Sequence, residues 1–381
     1  MLSETHGRTA RGFEPVREEL AALLAADPEH SAQVAAYLHG RPVVDLWGGP
    51  GLGGEALIGV FSSTKGAAYL TAALLAQEGV LHLDREVRHY WPRFAAAGKE
   101  RVTLRQLLTH RAGAIGTEAG FGLAELADDR ALAELLAPHP PYWNPDSGLF
   151  GYHTATIGAL LGEVVRRATG RTLQQVYEER IRRPYGIEMF LGLPQEYEER
   201  VATVLPPRPL PENPFAPDRL GGIAGNEHRP DAGPLWEWPN SRSFRAGGQA
   251  SAGGVGSARG LARLYAAAVH GTADEDGTRR PPLLRPDTYG GWALPQVAGQ
   301  DLVLDIHRPY GVGFMIGLPF LGAGSFGHDG AGGSMAFADP RSGLTFGYVR
   351  RRFPVPGGAG PDAERLARTA RACALAVSTS G

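Results

Sequence analysis

The chain is poor in cysteine and lysine and has no long apolar run. Its one cysteine in 381 residues, Cys373, excludes an intramolecular disulfide, and the flanking "RACALAV" reads it as a small buried filler; a reducing, cytoplasmic setting is expected. No window of about 20 apolar residues occurs, and the opening "MLSETHGRTARGFEPVREEL" lacks a stretch of signal-peptide type, so neither membrane insertion nor export is expected. Charge of one sign is also missing. With 38 Lys plus Arg scattered among 40 Asp plus Glu, nothing attracts a polyanion, which argues against a nucleic-acid partner. The 12 histidines form no H-x-H, no H-E-x-x-H and no Cys/His cluster, so neither a metal nor another cofactor is expected.

The elements present alternate between strand and helix signals. Residues 14–26 read as an amphipathic helix, and "SAQVAAYLHGRPVVDLWGG" as a β-hairpin turning at His39-Gly40-Arg41. From Ser62 to about Gln77 the pattern is apolar nearly all round, which predicts a helix buried at the centre of the molecule. Helical periodicity dominates from about 80 to 190. A proline-crowded segment between Leu205 and Pro239 predicts a long ordered loop, with Trp236 and Trp238 as a pocket wall. A helix over 257–269, a hairpin turning at Pro340-Arg341-Ser342-Gly343 and a closing helix complete the chain. Strands at both ends with helices between them imply an α+β fold: an antiparallel sheet flanked by helices, built from both termini, with an inserted all-helical domain. The expected division is 1–75 for the first part of the sheet domain, 76–240 for the helical domain and pocket loop, and 241–381 for the rest of the sheet domain.

Lysine is the sharpest shortage. Only Lys65 and Lys99 stand against 36 arginines, and Lys65 lies in "FSSTKG" three residues after Ser62, on the same helical face. A serine hydroxyl needs a neighbour that takes its proton. A desolvated lysine amine can do so, whereas a guanidinium stays protonated. The helix start also leaves the Ser62 N–H free to bind a developing oxyanion. No serine centres a G-x-S-x-G elbow, which argues against an α/β-hydrolase.

On these residues, and on "VVDLWGG", "LRQLLTHRAG", "GYHTATIGALLGEVVRRATGR", "GSARGLARLYAA" and "FGHDGAGGSMAFADPRSGLTFGYV" in this order, the chain resembles the serine β-lactamase and penicillin-binding-protein superfamily. Within it, the chain resembles the class C β-lactamase-like esterases, the family VIII carboxylesterases. The resemblance implies Ser62 as nucleophile, Lys65 as its base, and Tyr152 of Tyr152-His153-Thr154 as a second proton carrier whose phenol a cationic Lys65 would acidify. It also implies that the Ala331 N–H completes an oxyanion hole with Ser62, and that His328-Asp329-Gly330, where penicillin-recognising relatives carry Lys-Thr-Gly, forms a substrate-binding edge. His153 joins that substrate-binding set. His110 is read as a structural hydrogen-bonding residue. Arg350, in the run Arg350-Arg351-Arg352, is either a solvated strand end or a holder of an anionic substrate group.

The missing Lys and Thr of the third motif argue against efficient β-lactam turnover and favour an acyclic, small-molecule ester. The expected activity is that of a serine carboxylesterase working through an acyl-enzyme. Its alternative is an acyltransferase passing the acyl group to an amine or alcohol; a β-lactamase, a D,D-peptidase or an inactive binding module ranks below both. Whether the chain works as a monomer or a homo-oligomer stays open.

Overall fold

A computed structural model describes residues 4–210, 219–274 and 276–379. Nine strands form one sheet in the spatial order Thr5–Thr9, Arg41–Gly48, Ala32–Leu38, Leu344–Arg350, Met335–Asp339, Phe326–Asp329, Met315–Ile316, His307–Tyr310 and Val297–Gln300, each antiparallel to its neighbours. The sheet is therefore assembled from both ends of the chain. Both expected hairpins are present, and the first turns on His39 and Gly40, whose φ values of 48° and 78° suit the twist of a two-residue connection.

Alternation along the strands decides what each sheet face meets. In Leu344–Arg350, Leu344, Phe346 and Tyr348 pack with Val16, Leu20, Leu366 and Ala370 of the terminal helices Glu14–Ala26 and Pro361–Thr379. Thr345, Gly347 and Val349 lie on the opposite face, where Thr345 Oγ1 donates to Ala262 O of helix Ala258–Val269 at 3.0 Å. That helix sits so close that a β-carbon on Gly347 would lie 2.2 Å from Ala258 O.

Helix Thr64–Gln77 is buried without interruption from Thr64 to Leu75, as its all-round apolar pattern predicts. It begins two residues later than expected, because Phe61–Ser63 forms a single 3₁₀ turn. The stretch from 80 to 190 is more broken than its periodicity predicts. "DREVRHYWPRFAA" yields only 3₁₀ turns, Val87–His89 and Pro92–Gly98, where Pro92 can start a turn but cannot continue a helix. "LAELADDRALAELLA" yields two helices, Leu123–Leu126 and Asp129–Leu136, since the Asp128 carboxylate caps the Arg130 and Ala131 amides and restarts the ladder. Among the described residues no helix is long and apolar enough to cross a membrane.

The contact at Gly347 yields a test of the sheet-to-helix packing. Gly347→Ala is expected to lower the urea midpoint by an amount equivalent to about 1–3 kcal/mol at unchanged m-value, the usual cost of overpacking. An unchanged midpoint would show that the helix can retreat without penalty.

Candidate active site

The site begins at a strained residue. Phe61 has φ 47°, in the left-handed region, a conformation that costs on the order of 1–3 kcal/mol and persists only when its surroundings enforce it. Those surroundings come from the far end of the chain. Ser63 Oγ lies 2.8 Å from Ser334 Oγ and donates to His328 O at 3.3 Å, while Ser334 Oγ donates to Val60 O at 2.6 Å. The serine turn is thereby tied to strand Phe326–Asp329 and the loop after it. Glycines permit the approach: a β-carbon on Gly330 would meet Val60 O at 2.4 Å, and one on Gly332 would meet the Phe61 ring at 2.2 Å.

Lys65 Nζ lies 3.0 Å from Ser62 Oγ, 2.7 Å from Thr154 O and 3.0 Å from Ser251 O, and the side chain is fully buried. Burial holds the amine well below its ordinary pKa of 10.5, against a weaker opposing pull from Asp329. A neutral amine has two N–H donors and one lone pair, matching two carbonyls and one hydroxyl proton. The cage draws on three separate segments. The one bearing Ser251 reaches it because Gly158 has no side chain, as a β-carbon there would lie 2.3 Å from Ser251 N.

Tyr152 lies over the same amine, with Lys65 Nζ 4.8 Å from its ring centroid. Its hydroxyl lies 3.4 Å from His328 Nε2 and interacts with Ser62; burial, the largest influence, outweighs the pull of Ser62 toward the phenolate and pushes the phenol well above 10. This departs from the expectation of an acidified phenol, and the cause is burial. His328 is also neutral, held far below 6.5 by burial and then by the proximity of Lys65. Its Nδ1 lies 2.6 Å from Asp329 O, which places the ring proton there and leaves Nε2 as an acceptor facing the phenol.

The amides expected to face an oxyanion are unengaged: among the described residues neither Ser62 N–H nor Ala331 N–H donates to an acceptor of the chain. Ala331 O accepts from Gly358 N at 3.0 Å, which anchors its peptide from the other side. Asp329 is oriented toward this same loop, where its Oδ2 accepts from Ala359 N at 3.2 Å.

Three of the expected substrate-binding residues lie elsewhere. His153 is fully buried, its Nε2 accepts from Ala114 N at 3.1 Å and its Nδ1 donates to Gly151 O at 2.7 Å, so the side chain braces loops while its neighbour Tyr152 faces the serine. Burial pulls its pKa to about 4. Trp238 is a core residue whose Nε1 donates to Gly233 O, whereas Trp236 stacks edge-on against Phe353, itself in contact with the Phe61 ring. Residues 211–218, within the segment expected to wall the pocket, lie outside the described residues. Arg350 shares a strand face with Tyr348 and therefore points to the terminal helices, where its Nη1 donates to Asp362 Oδ2 at 2.8 Å. It is neither solvated nor free to hold a substrate anion.

Two residues that the sequence pattern did not single out position the tyrosine. The buried Asp301 accepts from the Tyr152, Val303 and Leu304 amides through Oδ1, and from the Tyr310 hydroxyl through Oδ2 at 2.9 Å. Tyr310 in turn stacks parallel to Tyr152, with ring centroids 6.3 Å apart. Their signal is one of two acids and a lone phenol in "GQDLVLDIHRPYGVGF", which nothing local marks. His110 is structural as expected, its Nδ1 accepting from His153 N at 3.2 Å. Among the described residues no group of three or more His, Cys, Asp or Glu side chains converges on a metal position.

Comparison with known proteins places this geometry in context. The beta-lactamase family model matches residues 18–371. The structure of EstA from Arthrobacter nitroguajacolicus Rue61a superimposes with a TM-score of 0.92 at 42% identity, covering 99% of this chain and 100% of that one. A crystal structure of a family VIII carboxylesterase superimposes with a TM-score of 0.86 at 32% identity, covering 97% and 100%. The esterase/beta-lactamase LipL of Mycobacterium tuberculosis is 30% identical over 345 residues, which is 85% of this chain and 77% of that protein.

The buried amine sets a pH dependence. An amine takes up a proton only when neutral, so with Lys65 as the expected base the rate constant for labelling Ser62 with a fluorophosphonate is expected to rise with pH through the depressed amine pKa and to level off well below 10.5. A rate still climbing near pH ~10.4, the value of an ordinary lysine, would contradict the desolvated amine.

Proposed function

Because the chain belongs to the beta-lactamase family, we propose that its Ser62, Lys65 and Tyr152 hydrolyse small-molecule carboxylic esters through an acyl-enzyme on Ser62. The enzyme is a serine hydrolase of the esterase type found in its close structural neighbours. The observation that carries the assignment of residues is the buried amine of Lys65, 3.0 Å from Ser62 Oγ with two carbonyls holding its remaining valences.

In the resting site the amine and the phenol are both neutral. Lys65 takes the Ser62 proton as Oγ attacks the ester carbonyl, and the Ser62 and Ala331 amides receive the developing oxyanion. At that moment Lys65 becomes a cation beneath the Tyr152 ring. The field that acidifies the phenol now exists, and Tyr152 gives its proton to the departing alcohol oxygen. The ammonium returns its proton to the phenolate by way of the vacated Ser62 region. Water then attacks the acyl-enzyme, with the same two groups taking and returning its proton. His328, as acceptor to the phenol, and the 330–332 backbone form the pocket edge, and Trp236 backs the serine turn through Phe353. A reducing, cytoplasmic setting completes the reading, supported by the single buried thiol of Cys373.

Ser62→Ala is expected to abolish turnover of a short-chain chromogenic ester and fluorophosphonate labelling together. Lys65→Arg, which keeps the charge and removes the deprotonation, is expected to lower the acylation rate by about 10²–10⁴, the scale of general-base catalysis. Near-normal turnover in Lys65→Arg refutes the base. Hydrolysis is separated from transfer by product ratios in the presence of added amines and alcohols. Release of free acid as the main product at all acceptor concentrations identifies water as the acceptor, and diversion to an acceptor product identifies a transacylase.

A further inference from the structure

Arginines near the core of this protein are generally matched to carboxylates: Arg245 to Glu198, Arg350 to Asp362, Arg371 to Asp339, and Arg166 and Arg167 to Glu163. Arg308 departs from this pattern. It is half-buried on strand His307–Tyr310, and among the described residues no carboxylate comes within ion-pair distance of it; Nη1 lies 3.2 Å from the thioether of Met315, and the side chain also hydrogen-bonds with Tyr310. A thioether is a weak acceptor, and a guanidinium has five donors to place.

Its position is what makes the vacancy chemical. Arg308 stands two residues before Tyr310 and therefore on the same strand face, and Tyr310 stacks on Tyr152. Met315, which it touches, belongs to the apolar cluster that includes Tyr152, Ile115 and Ile223. In register with Arg308 on the neighbouring strand stands Gly299, so no side chain crosses over the guanidinium from there. The charge reaches the Tyr152 phenol, whose ionised form it favours, and the Asp329 carboxylate, whose Oδ2 also accepts from the Ala359 amide. Arg308 thus brings a guanidinium with no carboxylate in direct contact to the wall of the site that also holds the tyrosine.

We propose that Arg308 binds a carboxylate carried by the substrate, so that the enzyme prefers monoanionic esters to neutral esters of the same shape. The inference rests on the ester-hydrolase reading and adds a substrate class to it. It also relocates to Arg308 the anion-holding role that the geometry denies to Arg350.

The test is a ratio of kcat/KM values for matched ester pairs. One pair places the carboxylate in the acyl chain, para-nitrophenyl hydrogen glutarate against para-nitrophenyl pentanoate. The other places it in the alcohol portion, para-acetoxybenzoate against its methyl ester. The anionic member of at least one pair is expected to be favoured about tenfold or more, the scale of a charge-assisted hydrogen bond. Arg308→Gln is expected to bring that ratio close to one, and Arg308→Lys to retain part of it, because the charge remains and the fork is lost. A partial loss of folded enzyme lowers both members equally and leaves the ratio alone. A wild-type ratio near one in both pairs, or a preference that survives in Arg308→Gln, overturns the proposal. Failure of all four esters together with failure of fluorophosphonate labelling removes the ester-hydrolase reading, and this proposal with it.

Discussion

An amine that the protein refuses to hydrate governs the rest of the structure. Placing a charged ammonium in a dry interior costs several kcal/mol even after relaxation, so the group deprotonates instead. Lys65 has carbonyls but no carboxylate hydrogen-bonded at its Nζ, and the pull of Asp329 does not offset the burial. Its lone pair is therefore available to the one hydroxyl within reach. The same dry environment keeps the Tyr152 phenol protonated and the His328 ring neutral. In the proposed mechanism the amine and the phenol, uncharged at rest, develop a cation and an anion only during the reaction, and these arise next to one another.

Much of the surrounding architecture serves to keep that arrangement in register. Gly158 admits the Ser251 backbone, Asp301 gathers the Tyr152 amide and the Tyr310 hydroxyl, and the Ser63–Ser334 contact joins the serine turn to a loop 271 residues later in the chain. Each device lets backbone or a short polar side chain approach closely. None of them is a long-range charge pair, which a water-excluding site would penalise.

The second lysine sharpens what the first one means. Lys99 is also buried and also faces carbonyls, Ala96 O at 2.8 Å and His139 O, and burial brings its pKa down to about 8. No serine stands beside it. Lysine in this arginine-rich chain therefore marks a compact amine capping buried carbonyls, a place too small for a planar guanidinium. Both lysines are buried, and it is the spacing to Ser62 that sets Lys65 apart.

Local information carried the hairpins, the buried central helix and the Ser62–Lys65 pair, because each is settled by neighbours a few residues apart. It carried Tyr152 only through family likeness. It missed Asp301 and Tyr310, misassigned His153, Trp238 and Arg350, and overstated the continuity of helix between 80 and 190, where Pro92 and the Asp128 cap interrupt the periodicity. Strand parity turns Arg350 toward Asp362 and Arg308 toward the tyrosine wall, and no pattern in the sequence states which face of the sheet will hold the serine. What the sequence by itself determined was the pairing of Ser62 with Lys65, the proposed nucleophile and base, since one helical turn suffices to bring them together. Only the tertiary structure decided their protonation states and the groups that surround a substrate. Those depend on how completely distant segments exclude water, and exclusion is a property of the assembled interior.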